Sequence, residues 1–126
     1  MRLLLDTVAF IWAIDSPERL SRKATIALQN DRAMWEMSAV SLSEIAIKQR
    51  KGKLVLHKED VITGIADLKI RVLPYTAGHA YQLFDLPLHH TDPFDRQIIA
   101  QALAEGIPII TSDEKFRLYK GIEVIW

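Results

Sequence analysis

Short apolar runs alternate along the chain with segments whose apolar residues recur at helical spacing. Arg2 to Leu5 reads as a buried strand. Thr7 to Ile14 reads as a helix, which Asp15-Ser16-Pro17 interrupts. Ser21 caps a helix through Gln29, with Ala24, Ala27 and Leu28 at helical spacing. Ala33 to Ala39 reads as a second strand. Ser41 or Ser43 then opens a helix through Arg50, and Gly52 ends it. Asp60 to Leu68 is helical, Arg71 to Leu73 extended, and Thr76 to Phe84 helical again. After a break from Leu86 to Thr91, Asp92 caps a helix with Pro93 at its first position. That helix runs to about Glu105 and stops at Gly106. Pro108 to Ile110 is another buried strand, Glu114 to Leu118 a short helix, and Glu123 to Trp126 the final strand. Strands that alternate with helices, and are apolar on both faces, predict an α/β fold. Right-handed crossovers make it a three-layer α/β/α sandwich with a mainly parallel central sheet.

Length and composition add bounds. The 126 residues suit a single domain over 1–126, with 49% hydrophobic and 25% charged residues, the balance of a globular chain. The absence of cysteine excludes disulfides and thiolate metal sites. The apolar run at Leu3 to Leu5 is too short for a signal peptide, and no stretch approaches the ~20 apolar residues of a membrane helix. A cytoplasmic protein with no membrane association is expected. The 16 basic and 16 acidic residues cancel, so any nucleic-acid surface must be local.

Ligands of open α/β sheets gather outside the carboxyl ends of the strands. Asp6 ends the first strand, and Asp113 closely follows the Pro108–Ile110 strand. Glu44 falls on the first turn of the helix after the second strand. Asp95 falls on the first turn of the helix that runs back toward the Pro108–Ile110 strand. Each acid alone reads most simply as a helix cap or first-turn acid, and Asp92 is assigned that structural part. Four acids from different elements at one edge read as a site. Crowded carboxylates repel unless a cation joins them, and an all-oxygen donor set suits Mg²⁺, with Mn²⁺ as an alternative. The chemistry implied is phosphodiester hydrolysis.

Four blocks carry a family resemblance. They are Leu4-Leu5-Asp6-Thr7-Val8-Ala9-Phe10-Ile11-Trp12, then Ser41-Leu42-Ser43-Glu44-Ile45-Ala46-Ile47-Lys48, then Leu86-Pro87 through His90 with Asp92-Pro93-Phe94-Asp95-Arg96-Gln97-Ile98-Ile99-Ala100-Gln101-Ala102, and Thr111-Ser112-Asp113. In this order they resemble the PIN domain, specifically the VapC-type toxin family. The resemblance implies a metal-dependent endoribonuclease acting on RNA, neutralised by a cognate antitoxin protein and usually a homodimer. It also implies that Asp6, Glu44, Asp95 and Asp113 are the acidic quartet, with Asp92 accessory and Thr111 or Ser112 hydrogen-bonding the site. The family commonly has His where this chain has Val8, and often a basic residue where it has Thr91. Both departures bear on RNA preference rather than on the acids.

The densest basic stretch is Lys48-Gln49-Arg50-Lys51-Gly52-Lys53. Lys48, Arg50 and Lys51 are candidate RNA contacts, although a solvated helix end explains the run as well. Arg96 is a further candidate, for a carboxylate or a phosphate. His89 and His90 are assigned loop or packing roles. Trp12 and Trp35 read as core, and Phe10, Ile11 and Ile14 as core or a dimer face. Two alternatives stand beside the nuclease. A phosphoacceptor receiver-type signalling module wants an acidic pair after the first strand and a late Lys, whereas here Asp6 stands alone. A non-catalytic PIN-like binding domain would keep the acids as partner contacts.

Overall fold

In the computed structural model, which describes residues 1–126, the N-terminal run Arg2–Leu5 forms β1, the central strand of a five-stranded sheet. Met34–Ser38 (β2) and Arg71–Leu73 (β3) lie on one side, and Ile109–Ile110 (β4) and Val124–Ile125 (β5) on the other, in the order β3-β2-β1-β4-β5. Every neighbouring pair is parallel. The helices are Thr7–Asp15 (α1), Arg22–Gln29 (α2), Ala39–Arg50 (α3), Lys58–Asp67 (α4), Ala77–Gln82 (α5) and Pro93–Glu105 (α6). Short 3-10 turns occupy Pro17–Arg19, Leu83–Asp85 and Glu114–Leu118.

Successive side chains of a strand point to opposite faces, so β1 divides the core. Leu3 and Leu5 join Phe10 and Ala13 of α1, Ala24 and Leu28 of α2, Ile45 of α3 and Val61 of α4 on one face. Leu4 joins Ile98, Ile99 and Ala102 of α6, with Phe116, on the other. The result is the three-layer sandwich that the apolar pattern predicts. Full burial of each large apolar side chain contributes roughly 1.5–3 kcal/mol, so the two clusters dominate the stability of the fold. Ile11 and Ile14 pack against the first cluster, which settles that stripe as core. The contact is tight at Gly64 of α4, where a Cβ would lie 2.4 Å from Ile14 Cδ1. Trp12 and Trp35 are only half-buried. Trp35 donates to the Leu28 carbonyl, and Trp12 lies between Arg19 and Trp126.

The helix after β2 begins earlier than its serines suggest. β2 runs straight into α3, Ser38 is the cap, and Ser41 is buried inside the helix. Glu44 consequently sits in the second turn rather than the first. The helix predicted from Asp60 starts at Lys58, with Asp60 accepting from the His57 backbone N–H. The one predicted over Thr76 to Phe84 tightens to a 3-10 turn at Leu83. Gly106 ends α6 in the left-handed conformation (φ 67°) that glycine adopts without a Cβ clash.

The amino edge of the sheet holds a polar network. Glu36 of β2 is fully buried, and the Arg2 guanidinium binds both of its oxygens at 2.5 and 3.0 Å. Arg2 also reaches Glu105 at 3.0 Å, and Glu105 meets the Nε2 of buried His79 at 2.9 Å. Hydrogen bonds from His79, the larger effect, and from Arg2 hold the Glu105 carboxyl below its ordinary range.

Candidate metal centre

Because the strands are parallel, their carboxyl ends meet at one edge, and β1 and β4 deliver Asp6 and Thr111 there side by side. Asp6 follows β1 directly, and its backbone N–H bonds the Ile110 carbonyl at 3.1 Å. Its side chain caps α1, Oδ1 accepting from the Ala9 N–H at 2.8 Å. Oδ2 accepts from the Thr111 hydroxyl at 2.5 Å. Burial nevertheless pushes the Asp6 carboxyl up to about 6, against the lowering effect of both hydrogen bonds, with Glu44 and Asp113 adding repulsion.

Glu44 reaches the same edge from α3 and is 4% exposed. The Thr7 hydroxyl lies 2.6 Å from Oε1 and 2.8 Å from Ser41 Oγ. With one proton to give, Thr7 donates to the carboxylate and accepts from Ser41. The other oxygen, Oε2, meets the Lys48 ammonium one turn along the helix at 2.5 Å. Asp113 follows β4 and caps the last 3-10 turn, Oδ1 accepting from the Lys115 N–H at 2.9 Å. Thr111 ties this loop to β1, since its hydroxyl accepts from the Asp113 N–H while donating to Asp6.

Asp95 differs from the other three. Asp92 caps α6 by accepting from the Phe94 and Asp95 N–H groups at 2.9 and 3.0 Å, the structural part assigned to it above. Asp95 projects from the first turn and accepts no hydrogen bond from a backbone N–H or hydroxyl. Its side chain is only 20% exposed. Burial, then the charges of Asp92, Asp6, Glu44 and Asp113, push its carboxyl up to about 8.

His90 is the residue that its sequence position did not reveal. Its ring is buried, edge-on to Phe116. Nδ1 accepts from the Asp92 N–H at 3.1 Å, which leaves the ring proton on Nε2. Nε2 faces Asp113 Oδ2 at 2.8 Å and Asp95 Oδ2 at 3.2 Å. The loop is pinned from behind. The Tyr119 hydroxyl accepts from the backbone N–H groups of His89 and His90. The Arg96 guanidinium donates to the carbonyls of Leu86, Pro87 and His90. Arg96 thus serves loop carbonyls here rather than a carboxylate. Thr7 and Ser41 were also missed, since their hydroxyls act only once α1 and α3 meet.

Lys48 meets the acidic centre from its Glu44 side, while Arg50 and Lys51 are exposed at the far end of α3. Ser112 lines a polar recess of about 200 Å³ beside Asp113, with Thr111, Glu114, Arg117 and Trp126. Val8 and Thr91 are exposed. An apolar groove of about 540 Å³ opens elsewhere between α3 and α4, lined by residues that include Leu42, Ile45, Leu56, Val61, Ile62 and Ile65.

A divalent cation fits this centre on the chemistry of its donors. The four acids present oxygen ligands, and Asp95 is a mostly buried carboxyl whose Oδ1 has no donor and which has four acidic neighbours. His90, Asp95 and Asp113 offer ligand atoms within 4.8 Å of one another. With its proton on Nε2, His90 supports the acids as a donor, which leaves the oxygens to bind a hard ion.

Fold and edge define a three-layer α/β domain with an acidic centre at the carboxyl ends of its parallel strands. The chain belongs to the PIN domain family, whose model matches residues 3–122. Among curated proteins, none matches the chain significantly. Solved structures share the fold. VapBC2 from Rickettsia felis, bound to a DNA fragment from its promoter, superposes with a TM-score of 0.75 at 17% identity, over 98% of this chain and 97% of that one. DNA-bound VapBC from Salmonella typhimurium gives 0.70 at 18% identity, over 98% and 96%. VapBC-5 of Mycobacterium tuberculosis, a member of the VapBC family of toxin-antitoxin systems, gives 0.61 at 21% identity, over 98% and 97%. Membership of the PIN family sets aside the receiver-type alternative.

Proposed function

We propose that this chain is a Mg²⁺-dependent endoribonuclease, also served by Mn²⁺, and the VapC-type toxin of a toxin–antitoxin pair. The observation that carries the reading is the meeting of Asp6, Glu44, Asp95 and Asp113 at one sheet edge, where burial and then the neighbouring acids push the Asp95 carboxyl up to about 8. Of the quartet Asp6, Glu44, Asp95 and Asp113, Asp95 has the free oxygen to hold the ion, and the others complete the acidic site. When bound, it supplies the positive charge and Lewis acidity that phosphodiester hydrolysis requires. The chain's own residues do the rest. Thr111 holds Asp6 and the Asp113 backbone in one frame. Thr7 orients Glu44, and His90 orients Asp95 and Asp113. Lys48, Arg50 and Lys51 offer positive charge to the phosphate backbone on the α3 side, and Ser112 offers a hydroxyl at the rim.

The partner reading is supported by neighbours of the same fold that are VapBC complexes. An antitoxin segment would cover the apolar groove between α3 and α4, an unpartnered surface suited to an amphipathic peptide. A homodimer is the assembly proposed, with exposed Tyr81, Phe84 and Leu88 as apolar surface for a second copy. No helix is long and apolar enough to cross a membrane, and a cytoplasmic location is proposed. The test is cleavage of a mixed RNA pool by the purified chain with Mg²⁺ and with chelator, using Asp95→Asn as control. Cleavage is expected only for the wild type with metal. Divalent binding with no cleavage of any RNA offered would favour a non-catalytic binding domain.

A further inference from the structure

Each acid of the centre except Asp95 already has a donor on both of its oxygens. Asp6 has the Ala9 N–H and the Thr111 hydroxyl. Asp113 has the Lys115 N–H on one oxygen and His90 Nε2 on the other. Glu44 has the Thr7 hydroxyl on Oε1 and the Lys48 ammonium on Oε2. Lys48 is therefore more than a solvated i,i+4 partner. Glu44 is almost fully buried, with its side chain 5% exposed, whereas the Lys48 side chain is 42% exposed overall and still brings its amine to the buried carboxylate. The ammonium also lies within the fields of Asp92 and Asp95 on the facing helix.

We propose that Lys48 is a built-in cation occupying the Glu44 side of the centre, so that the site takes a single divalent ion, seated on Asp95. The inference rests on the nuclease reading above and deepens it. A pair of metal ions that shares one substrate phosphate sits about 3.5–4 Å apart, with carboxylates serving both. Glu44 is the acid of the centre that a fixed cation of the chain already neutralises, so it has no unmet charge to offer a second ion. On the other flank, His90 engages one oxygen of Asp113 and faces one of Asp95. The donors bracket the acids from both sides and leave Asp95 Oδ1 with no partner. A fixed ammonium differs from a second ion in one useful respect: its charge is in place whatever the metal supply.

The test counts ions on the purified chain, with Mn²⁺ as the probe. Wild type is expected to bind one equivalent by calorimetry and to show the paramagnetic resonance spectrum of isolated ions. Lys48→Met keeps the length of the side chain and removes its charge. It is expected to take up a second equivalent and to show a spin-coupled pair. Lys48→Arg keeps the charge and is expected to stay at one equivalent, with thermal melts confirming that all three fold alike. Two equivalents in the wild type, or a Lys48→Met variant indistinguishable from it, would overturn the role given to Lys48 and leave the nuclease reading standing. No uptake by the wild type at all would remove the metal reading itself, and this inference with it.

Discussion

The two edges of one sheet bury carboxylates in opposite ways. At the amino edge, Glu36 is fully buried with both oxygens on Arg2, and Glu105 is held low by His79 and Arg2. At the carboxyl edge, only four residues further along β1, Asp6 is pushed up to about 6 and Asp95 to about 8. The first cluster receives its positive charge from the chain and is complete. The second receives an ammonium at Glu44 and an imidazole N–H at Asp113, and remains short of charge at Asp95. Burying a carboxylate is costly unless it is paired. A fold that pairs one group and leaves the other unmet separates a structural cluster from one shaped for an external cation.

The largest expected effect tests that separation through activity. Asp95→Asn should reduce RNA cleavage by on the order of 10³-fold, the scale of losing a preorganised electrostatic group, with the fold retained. Glu36→Gln, at the other edge, should leave cleavage per folded molecule unchanged. Loss of cleavage in a well-folded Glu36→Gln variant would break the comparison.

Next comes stability. Arg2→Met strands a buried carboxylate and should cost about 3 kcal/mol, and a domain of this size should melt about 10 °C lower. Asp95→Asn should do the reverse in metal-free buffer at pH 8, raising the melting temperature, because it removes a charge that the folded state disfavours. Saturating Mg²⁺ should stabilise the wild type by roughly 2–3 kcal/mol at a hundredfold excess over Kd, and Asp95→Asn hardly at all.

The pH dependence should carry opposite signs at the two edges. Asp95 and Asp6 have raised folded values, so between about pH 4 and about pH 8 the folded chain holds protons that the unfolded chain has lost. Metal-free stability should therefore fall as pH rises through that window, and Mg²⁺ should flatten the decline. Glu105 has a lowered folded value, so its contribution is present above the unfolded value and is lost as pH falls through the folded one. Glu105→Gln should weaken only that acid-side loss, which melts at several pH values would show. The smallest effect belongs to the exposed end of α3. Arg50→Ala with Lys51→Ala should weaken RNA binding a few-fold and reduce its salt dependence by about 0.7 per lost phosphate contact.

Much of this architecture is legible in the residues because local chemistry determines it. Asp92-Pro93 and Gly106 mark both ends of α6, and the apolar run Leu3-Leu4-Leu5 can only be a strand covered on both faces. Asp6 and Asp113 could be placed at one edge because parallel topology puts the ends of β1 and β4 there. What was not legible depends on partners far away in sequence. The start of α3 was misplaced because a buried Ser41, bonded to Thr7, looks the same in sequence as a capping serine. His90 read as a loop residue because the hydroxyl of Tyr119 and the guanidinium of Arg96 that pin it come from other elements. Arg2 and Glu36 meet only through the register that sets Leu4 against Glu36. The Glu44–Lys48 spacing was a readable signal, since residues four apart on a helix share a face, but its depth of burial was not.

Titration of the Asp95 carboxyl carbon by nuclear magnetic resonance reports directly on the unmet charge at the carboxyl edge. Asp95 should titrate near 8 without metal and well below its ordinary range with saturating Mg²⁺. An Asp95 that titrates like a surface aspartate and ignores Mg²⁺ would contradict the account.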